Sequence, residues 1–192
     1  MKILPRPYIR YKSVNSFFMG LTVGSIFTIY AVLDPSIFSL GGIVLALGML
    51  AVAKFYEKIL NLRMFFYISL FVELVMLVLV AGYLVLPYGF ATALFVYAGY
   101  QLTFMFGSYL VRGETLFLAK KQILSWLDMA KQAGYLAGML ASWLFYKVLS
   151  WGLGVEDHAR QVYLLHWPLL LTELLIIWLL LRSFEKVEKR TA

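Results

Sequence analysis

Six long runs of apolar residues constrain the fold of this chain more than any other feature. A helix that crosses a membrane needs about 20 mostly apolar residues. Six stretches come close to or exceed that length: residues 14–33, 36–53, 64–86, 90–111, 124–150 and 161–181. Hydrophobic residues make up 62% of the chain, whereas soluble domains contain about 45–50%. The sequence therefore predicts one all-α integral membrane domain, residues 1–192, built as a bundle of about six transmembrane helices.

The connections between the runs are short and carry turn residues or charges. Residues 34–36 (Asp-Pro-Ser) form the first connection and residues 87–89 (Pro-Tyr-Gly) the third. The second, fourth and fifth cover residues 54–63, 112–123 and 152–160, and the fourth has room for a short interfacial helix. The basic start resembles a signal peptide, but no small-residue cleavage site follows, so we predict a retained first helix. Residues 182–192 are expected to extend the last helix as a charged tail.

Lysine and arginine are distributed unevenly across the predicted membrane. With the N-terminus in the cytoplasm, all 17 of these residues except Lys147 and Arg160 lie on the cytoplasmic side. Cytoplasmic loops of membrane proteins carry such an excess. The sequence therefore predicts a multi-pass protein of the cell membrane (the inner membrane, in a bacterium), with both termini cytoplasmic. The same distribution accounts for the net charge of +7, so the expected partner is the lipid bilayer and not nucleic acid.

Two pairs of glycines are spaced four residues apart within apolar runs. Gly20 and Gly24 lie in the first run, and Gly134 and Gly138 lie in the fifth. Small residues at this spacing let helix backbones approach closely inside a membrane. We expect both pairs to mark close helix packing within the bundle.

Three polar residues fall near the middle of apolar runs, where lipid should exclude them. They are Glu73 in the third run, Gln101 in the fourth and Glu173 in the sixth. A carboxylate at that depth costs several kcal/mol unless it faces protein, water or a partner charge. We interpret the three as candidates for binding a substrate or a coupling ion in a shared cavity. The alternative is that each glutamate is protonated and simply hydrogen-bonded to a neighbour.

The remaining polar residues indicate structural roles. Asn15 is expected to cap the first helix or to line a cytoplasmic opening, and Glu114 to lie at the interface. Asp128 and Lys131 are three residues apart, as in an intrahelical ion pair. His166 is interpreted as a hydrogen-bonded core or interface histidine and not as a metal ligand.

No chemistry of catalysis is evident in the sequence. The chain has no cysteine, no metal-ligand spacing, no phosphate-binding glycine loop and no set of nucleophile, base and acid. We therefore expect neither an enzyme, nor a metal site, nor a cofactor.

The connection between the second and third runs carries a charged signature. Its small first residue is Ala53, its acid is Glu57, its base is Lys58, and Arg63 follows. This segment resembles the loop signature of the major facilitator superfamily, Gly-x-x-x-Asp-Arg/Lys-x-Gly-Arg/Lys-Arg/Lys, although Leu60 replaces the second glycine. Arg112, the basic loop after it and the glycines of the fifth run are similar to the next facilitator segment.

The resemblance implies a transporter fold of which this chain supplies one half. A facilitator has two six-helix halves related by an axis along the membrane normal. Two copies of this chain, or one copy and a partner half, could therefore associate around a central cavity. The leading hypothesis is a half-size secondary transporter for a small molecule or ion. The alternatives are a substrate-binding membrane subunit of an energy-coupling-factor vitamin importer and a membrane assembly protein that transports nothing.

Overall fold

The computed structural model describes residues 1–86 and 88–185, and nearly all of them are helical. The helices are α1 (Pro5–Tyr30), α2 (Pro35–Lys54), α3 (Tyr56–Ile59), α4 (Leu62–Val85), α5 (Phe90–Phe104), α6 (Gly107–Phe117), α7 (Lys121–Lys147) and α8 (His158–Arg182). A π-helical turn, Val148–Gly152, follows α7. Two short strands, β1 (Lys2–Ile3) and β2 (Phe184–Glu185), complete the fold.

Local sequence explains where several helices begin. Pro5 and Pro35 occupy first-turn positions, where a helix needs no backbone N–H from that residue. The Asn61 side chain accepts a hydrogen bond from the Met64 amide at 3.0 Å and caps α4. Asp157 caps α8 by accepting from the amides of Ala159 and Arg160 at 3.2 and 3.3 Å. These caps satisfy amides that the first turn of a helix leaves unpaired.

α1 is the central helix of the bundle. It packs along α7 on one side and against α8 on another, and α4 packs against α8. α5 lies beside α4, and α2 contacts α5 at the periphery. No residue of α2 is buried, so this helix contributes an exposed outer face. The core therefore lies between α1, α4, α5 and α8.

Five helical segments of the described chain are long and apolar enough to cross a membrane. They are Pro5–Tyr30, Pro35–Lys54, Leu62–Val85, Phe90–Phe117 and His158–Arg182. The all-helical membrane-type fold is thus confirmed, while a sixth crossing by α7 stays a prediction. α7 has 27 residues, about 40 Å of helix, but Lys131 and Gln132 lie in its N-terminal half.

The two ends of the described chain meet. β1 and β2 pair antiparallel, with Lys2 opposite Glu185 and Ile3 opposite Phe184. The predicted helical extension beyond Arg182 is therefore wrong for residues 183–185, and the rest of the predicted tail lies outside the described residues. The ring of Tyr8 packs 6.1 Å from that of Phe65, which brings the start of α4 to the same end of the bundle. The cytoplasmic location of this end stays a prediction.

Two helix boundaries differ from the sequence prediction. α1 begins at Pro5 and not at residue 14, because its polar residues pair inside the bundle. The predicted fourth helix breaks after Phe104, and α6 continues from Gly107 to Phe117. Arg112 therefore lies within a helix, and only residues 118–120 separate α6 from α7.

Candidate functional site: a buried carboxyl pair

Glu73 and Glu173 meet between α4 and α8. Their side chains are almost inaccessible, with exposures of 2% and 0%. The two carboxyl groups lie within hydrogen-bonding range of each other. The sequence places both at mid-helix, and the structure adds the rotation that turns them toward one another.

α1 supplies donors to only one member of the pair. The Tyr11 hydroxyl donates to Oε1 of Glu73, and Nδ2 of Asn15 lies 3.2 and 3.3 Å from its two carboxyl oxygens. Neither oxygen of Glu173 accepts from a donor group among the described residues. Asn15 is thus not a helix cap, since α1 starts ten residues before it, and its place at a cytoplasmic opening stays a prediction. Its amide points to the pair because it lies on the inner face of α1.

This asymmetry determines what the pair can do chemically. Two carboxylates in contact in an apolar interior cannot both be ionised at acceptable cost. A single proton shared between them removes one charge and supplies the missing hydrogen bond. Because Tyr11 and Asn15 donate to Glu73, the proton is best placed on Glu173, which then donates to Glu73. The arrangement is therefore suited chemically to hold one proton between the two carboxyl groups.

A second buried polar cluster lies nearer the terminal end of the bundle. Glu114 on α6 forms an ion pair with Lys12 on α1 at 2.9 Å and another with Lys131 on α7. The Tyr8 hydroxyl also donates to Glu114, at 3.0 Å. Lys131 lies 3.8 Å from Asp128, but its closer partner is Glu114. The intrahelical ion pair predicted for Asp128 and Lys131 is therefore confirmed, and Glu114 is a further, closer partner of Lys131. The interfacial depth predicted for Glu114 stays a prediction, and its side chain is buried between the helices.

Beyond the pair, away from the termini, lies a small interior cavity of about 10 Å³. Its polar wall consists of Thr22 and Ser25 from α1, Tyr100 from α5 and His166 from α8. Tyr100 and Thr22 line the same wall of this cavity. Polar groups therefore continue along α1 from Tyr8 to Ser25, about 25 Å of helix.

Gln101, the third predicted site residue, does not join the two glutamates. It lies in a groove between α2 and α5 of about 220 Å³, together with Gly41 and Met105. Its buried Oε1 has no hydrogen-bond partner among the described residues. The shared cavity expected for all three residues is therefore not formed within one chain, because neighbouring helix positions point to different faces.

The charged loop signature surrounds α3 and is exposed. Ala53, Glu57, Lys58 and Arg63 all face outward. Arg63 lies over the ring of Tyr67 at 5.8 Å, whereas Glu57 makes no ion pair within the described ranges. Glu57 is thus an exposed carboxylate in the connection between α2 and α4, without an ion-pair partner among the described residues.

The glycines bring α1 and α7 together. A Cβ at Gly20 would lie 2.8 Å from the Met139 amide nitrogen, and one at Gly138 would lie 2.9 Å from the Phe17 carbonyl carbon. Gly134 faces the backbone of Ser13, and Gly24 faces the ring of Tyr146. The first three contacts are backbone to backbone, so they leave no room for a side chain. Outside this seam, α7 exposes large residues such as Met129 and Trp143.

Sequence reasoning missed Tyr8, Tyr11, Lys12 and the interior role of Glu114. The sequence of the first helix does contain a pattern that indicates these residues, because polar side chains recur at positions 8, 11, 12, 15 and 22. Spacings of three, four and seven residues place side chains on one helix face. The predicted start at residue 14 left the first three outside the helix and hid this stripe.

Comparison with family models, with curated proteins and with solved structures finds no match to this chain. The class of protein is therefore inferred from the fold and the site alone. They define an all-helical protein with five helices suited to cross a membrane and a buried carboxyl pair at its centre. That is the architecture of a multi-pass membrane protein.

Proposed function

We propose that this chain is a half-size secondary transporter of the cell membrane that moves a small solute and couples it to protons. The observation that carries the proposal is the pair Glu73–Glu173, two carboxyl groups in contact inside an apolar bundle. Ionisable groups are rare at membrane depth and mark ion and substrate pathways there. A stable bundle without function would be better served by apolar side chains at both positions.

The contacts of the pair explain how proton binding could drive movement. Tyr11 and Asn15 hold α1 to Glu73, and Glu73 attracts their donor groups most strongly as a carboxylate. A second proton on the pair makes Glu73 neutral and weakens these bonds. Binding and release of that proton thus change how firmly α1 is held against α4. A transporter requires this kind of link between an ion site and helix position.

A second half is needed to build the solute site. The cavity beside the pair, about 10 Å³, is far below the roughly 300 Å³ of a small-molecule site. Two observations support an association through the α2–α5 face: α2 has no buried residue, and the Oε1 of Gln101 has no hydrogen-bond partner among the described residues. We infer that a second copy, or a partner half of the same orientation, encloses the solute cavity.

Proteoliposomes test the coupling directly. Uptake of labelled sugars, amino acids, nucleosides and organic acids is measured with and without an imposed pH gradient. For the transported class, we expect gradient-driven uptake by the wild type and its loss, on the order of 100-fold, in Glu73→Gln and Glu173→Gln. A residual uptake that ignores the gradient is compatible with either variant.

The control for these variants is Glu156→Gln, which removes an exposed carboxylate from the connection before α8. It should transport as the wild type does. Gradient-driven uptake that survives in both Glu73→Gln and Glu173→Gln would remove the pair from the mechanism.

The small size of the interior cavity favours one rival function. A membrane assembly protein needs no solute cavity, and the tight packing around the pair is compatible with it. A vitamin-binding subunit, in contrast, would need a ligand-sized cavity within a single copy. The same uptake panel separates these functions, because an assembly protein would transport no labelled class with or without the gradient.

A further inference from the structure

An open groove runs along the outer face of the bundle between α4 and α5. α4 forms one wall from Phe71 to Leu79, and α5 forms the other from Phe95 to Leu102. The groove has a volume of about 460 Å³, and none of its lining residues has a polar side chain. Val78, one of these residues, is 58% exposed. In a protein whose helices suit a membrane, such a groove is open to lipid chains.

The groove lies on a stripe of α4 that ends in an arginine. The stripe consists of Arg63, Tyr67, Phe71, Leu74 and Val78, which are all exposed. Their spacings of three or four residues place them on one face of the helix. The last three line the groove. Tyr67 and Arg63 continue the same face by two turns, toward the end of the bundle where the termini meet.

The length of this stripe matches one leaflet of a bilayer. From Arg63 to Leu79, α4 rises about 24 Å. A leaflet with its headgroup layer is about 20–22 Å thick, half of a bilayer of about 40–45 Å. Tyr67 and Trp178, near the same end of the packed helices α4 and α8, are exposed aromatic residues of the kind that lie at the membrane interface. The groove therefore has the depth of acyl chains, and Arg63 has the depth of a lipid phosphate.

Arg63 carries a charge that no acid of the described chain neutralises. Its guanidinium lies 5.8 Å from the centre of the Tyr67 ring, and none of the ion pairs among the described residues includes it. Arg63 also lies in the first turn of α4, which contains no acidic residue. The helix dipole disfavours a cation at that position. A bound phosphate would offset this cost, and arginine can bind phosphate through two parallel hydrogen bonds.

We propose that the groove and Arg63 bind one anionic phospholipid, with an acyl chain between α4 and α5 and the phosphate at Arg63. Lys54 and Lys58 outnumber Glu57 in the connection that leads to Arg63, so the local field favours a lipid of net negative charge over a zwitterionic one. The site requires only that the bundle lies in a membrane. It does not depend on the proposed transport.

Native mass spectrometry of the detergent-purified protein tests this site. Equal amounts of phosphatidylglycerol and phosphatidylcholine with identical palmitoyl and oleoyl chains are added, and the bound lipid is identified by its mass. We expect the wild type to retain phosphatidylglycerol preferentially. Arg63→Gln should lower phosphatidylglycerol binding about fivefold and leave phosphatidylcholine unchanged. Val78→Trp, at an exposed position, should fill the groove and lower the binding of both lipids.

The matched control is Arg182→Gln. Arg182 stacks on Trp178 at 4.2 Å, but α8 does not line the groove, so this variant should bind lipid as the wild type does. Glycerol 3-phosphate, which has the phosphate without the chains, should not displace the lipid.

Unchanged phosphatidylglycerol binding in Arg63→Gln, or displacement by glycerol 3-phosphate, would overturn the proposal. A wild type that prefers neither lipid would overturn it as well. A lipid-free dimer that Val78→Trp dissociates would also contradict it, because the groove would then be covered by a second copy.

Discussion

Replacing Glu114 by glutamine is expected to lower the free energy of unfolding by about 3 kcal/mol, because it removes the buried counter-charge of Lys12 and leaves Lys131 with only the exposed Asp128, 3.8 Å away. The side chain of Glu114 is 4% exposed, and those of Lys12 and Lys131 are 12% and 23% exposed. Breaking a buried ion pair costs far more than breaking a surface pair. Thermal unfolding in detergent, followed by the fraction of protein that remains monodisperse, measures the loss.

Two companion variants make this prediction specific. Asp128→Asn removes a carboxylate that is 73% exposed and 3.8 Å from Lys131, so it should change stability little. Removing all three charges in Lys12→Met, Glu114→Gln and Lys131→Met together should restore much of the stability, since no unpaired charge remains. An unstable triple variant, or a Glu114→Gln protein as stable as the wild type, would contradict the account of this cluster.

The second large effect is expected at the seam between α1 and α7. Gly138→Ala should destabilise the protein by about 3 kcal/mol, because the added Cβ would lie 3.0 Å from the Cα of Gly20 and 2.9 Å from the Phe17 carbonyl carbon. Both neighbours are backbone atoms, so no side chain can move aside. The two helices must separate along the seam, and the midpoint of thermal unfolding should fall accordingly.

Gly42→Ala is the matched control for this variant. Gly42 lies within α2, and a Cβ there meets nothing within 4 Å. Alanine favours helix over glycine by about 1 kcal/mol, so this variant should be neutral or slightly more stable. Equal stability of Gly138→Ala and the wild type would show that α1 and α7 do not approach as closely as described.

Much of the helical architecture was predictable from the sequence, because a run of about 20 apolar residues predicts a helix long enough to span a membrane. The runs containing Glu73 and Glu173 became α4 and α8 with ends shifted by only a few residues. The beginning of α1 was not predictable in this way. Lys12 and Tyr8 look like the start of a basic terminus, and only their pairing with Glu114 on a distant helix lets them lie inside the bundle.

The sequence predicted how deep the candidate site residues lie along their helices. It did not predict the direction in which each side chain points from its helix axis. Glu73, Gln101 and Glu173 have similar positions along their helices, but a hydropathy profile does not say which way each side chain points. Gln101 faces α2, whereas its neighbour Tyr100 faces the interior, since successive residues on a helix lie about 100° apart. The pairing of β1 with β2 also had no sequence signal, because two-residue strands are too short to show a pattern.

Infrared spectroscopy of the purified protein in neutral buffer tests the central claim, that Glu73 and Glu173 share one proton, most directly. The wild type should show the C=O band of a buried, protonated carboxylic acid. Glu173→Gln should abolish that band, Glu73→Gln should shift it by changing its hydrogen-bond partner, and Glu156→Gln should leave it unchanged. A wild-type spectrum without the band, or a band that neither Glu73→Gln nor Glu173→Gln alters, would contradict the account.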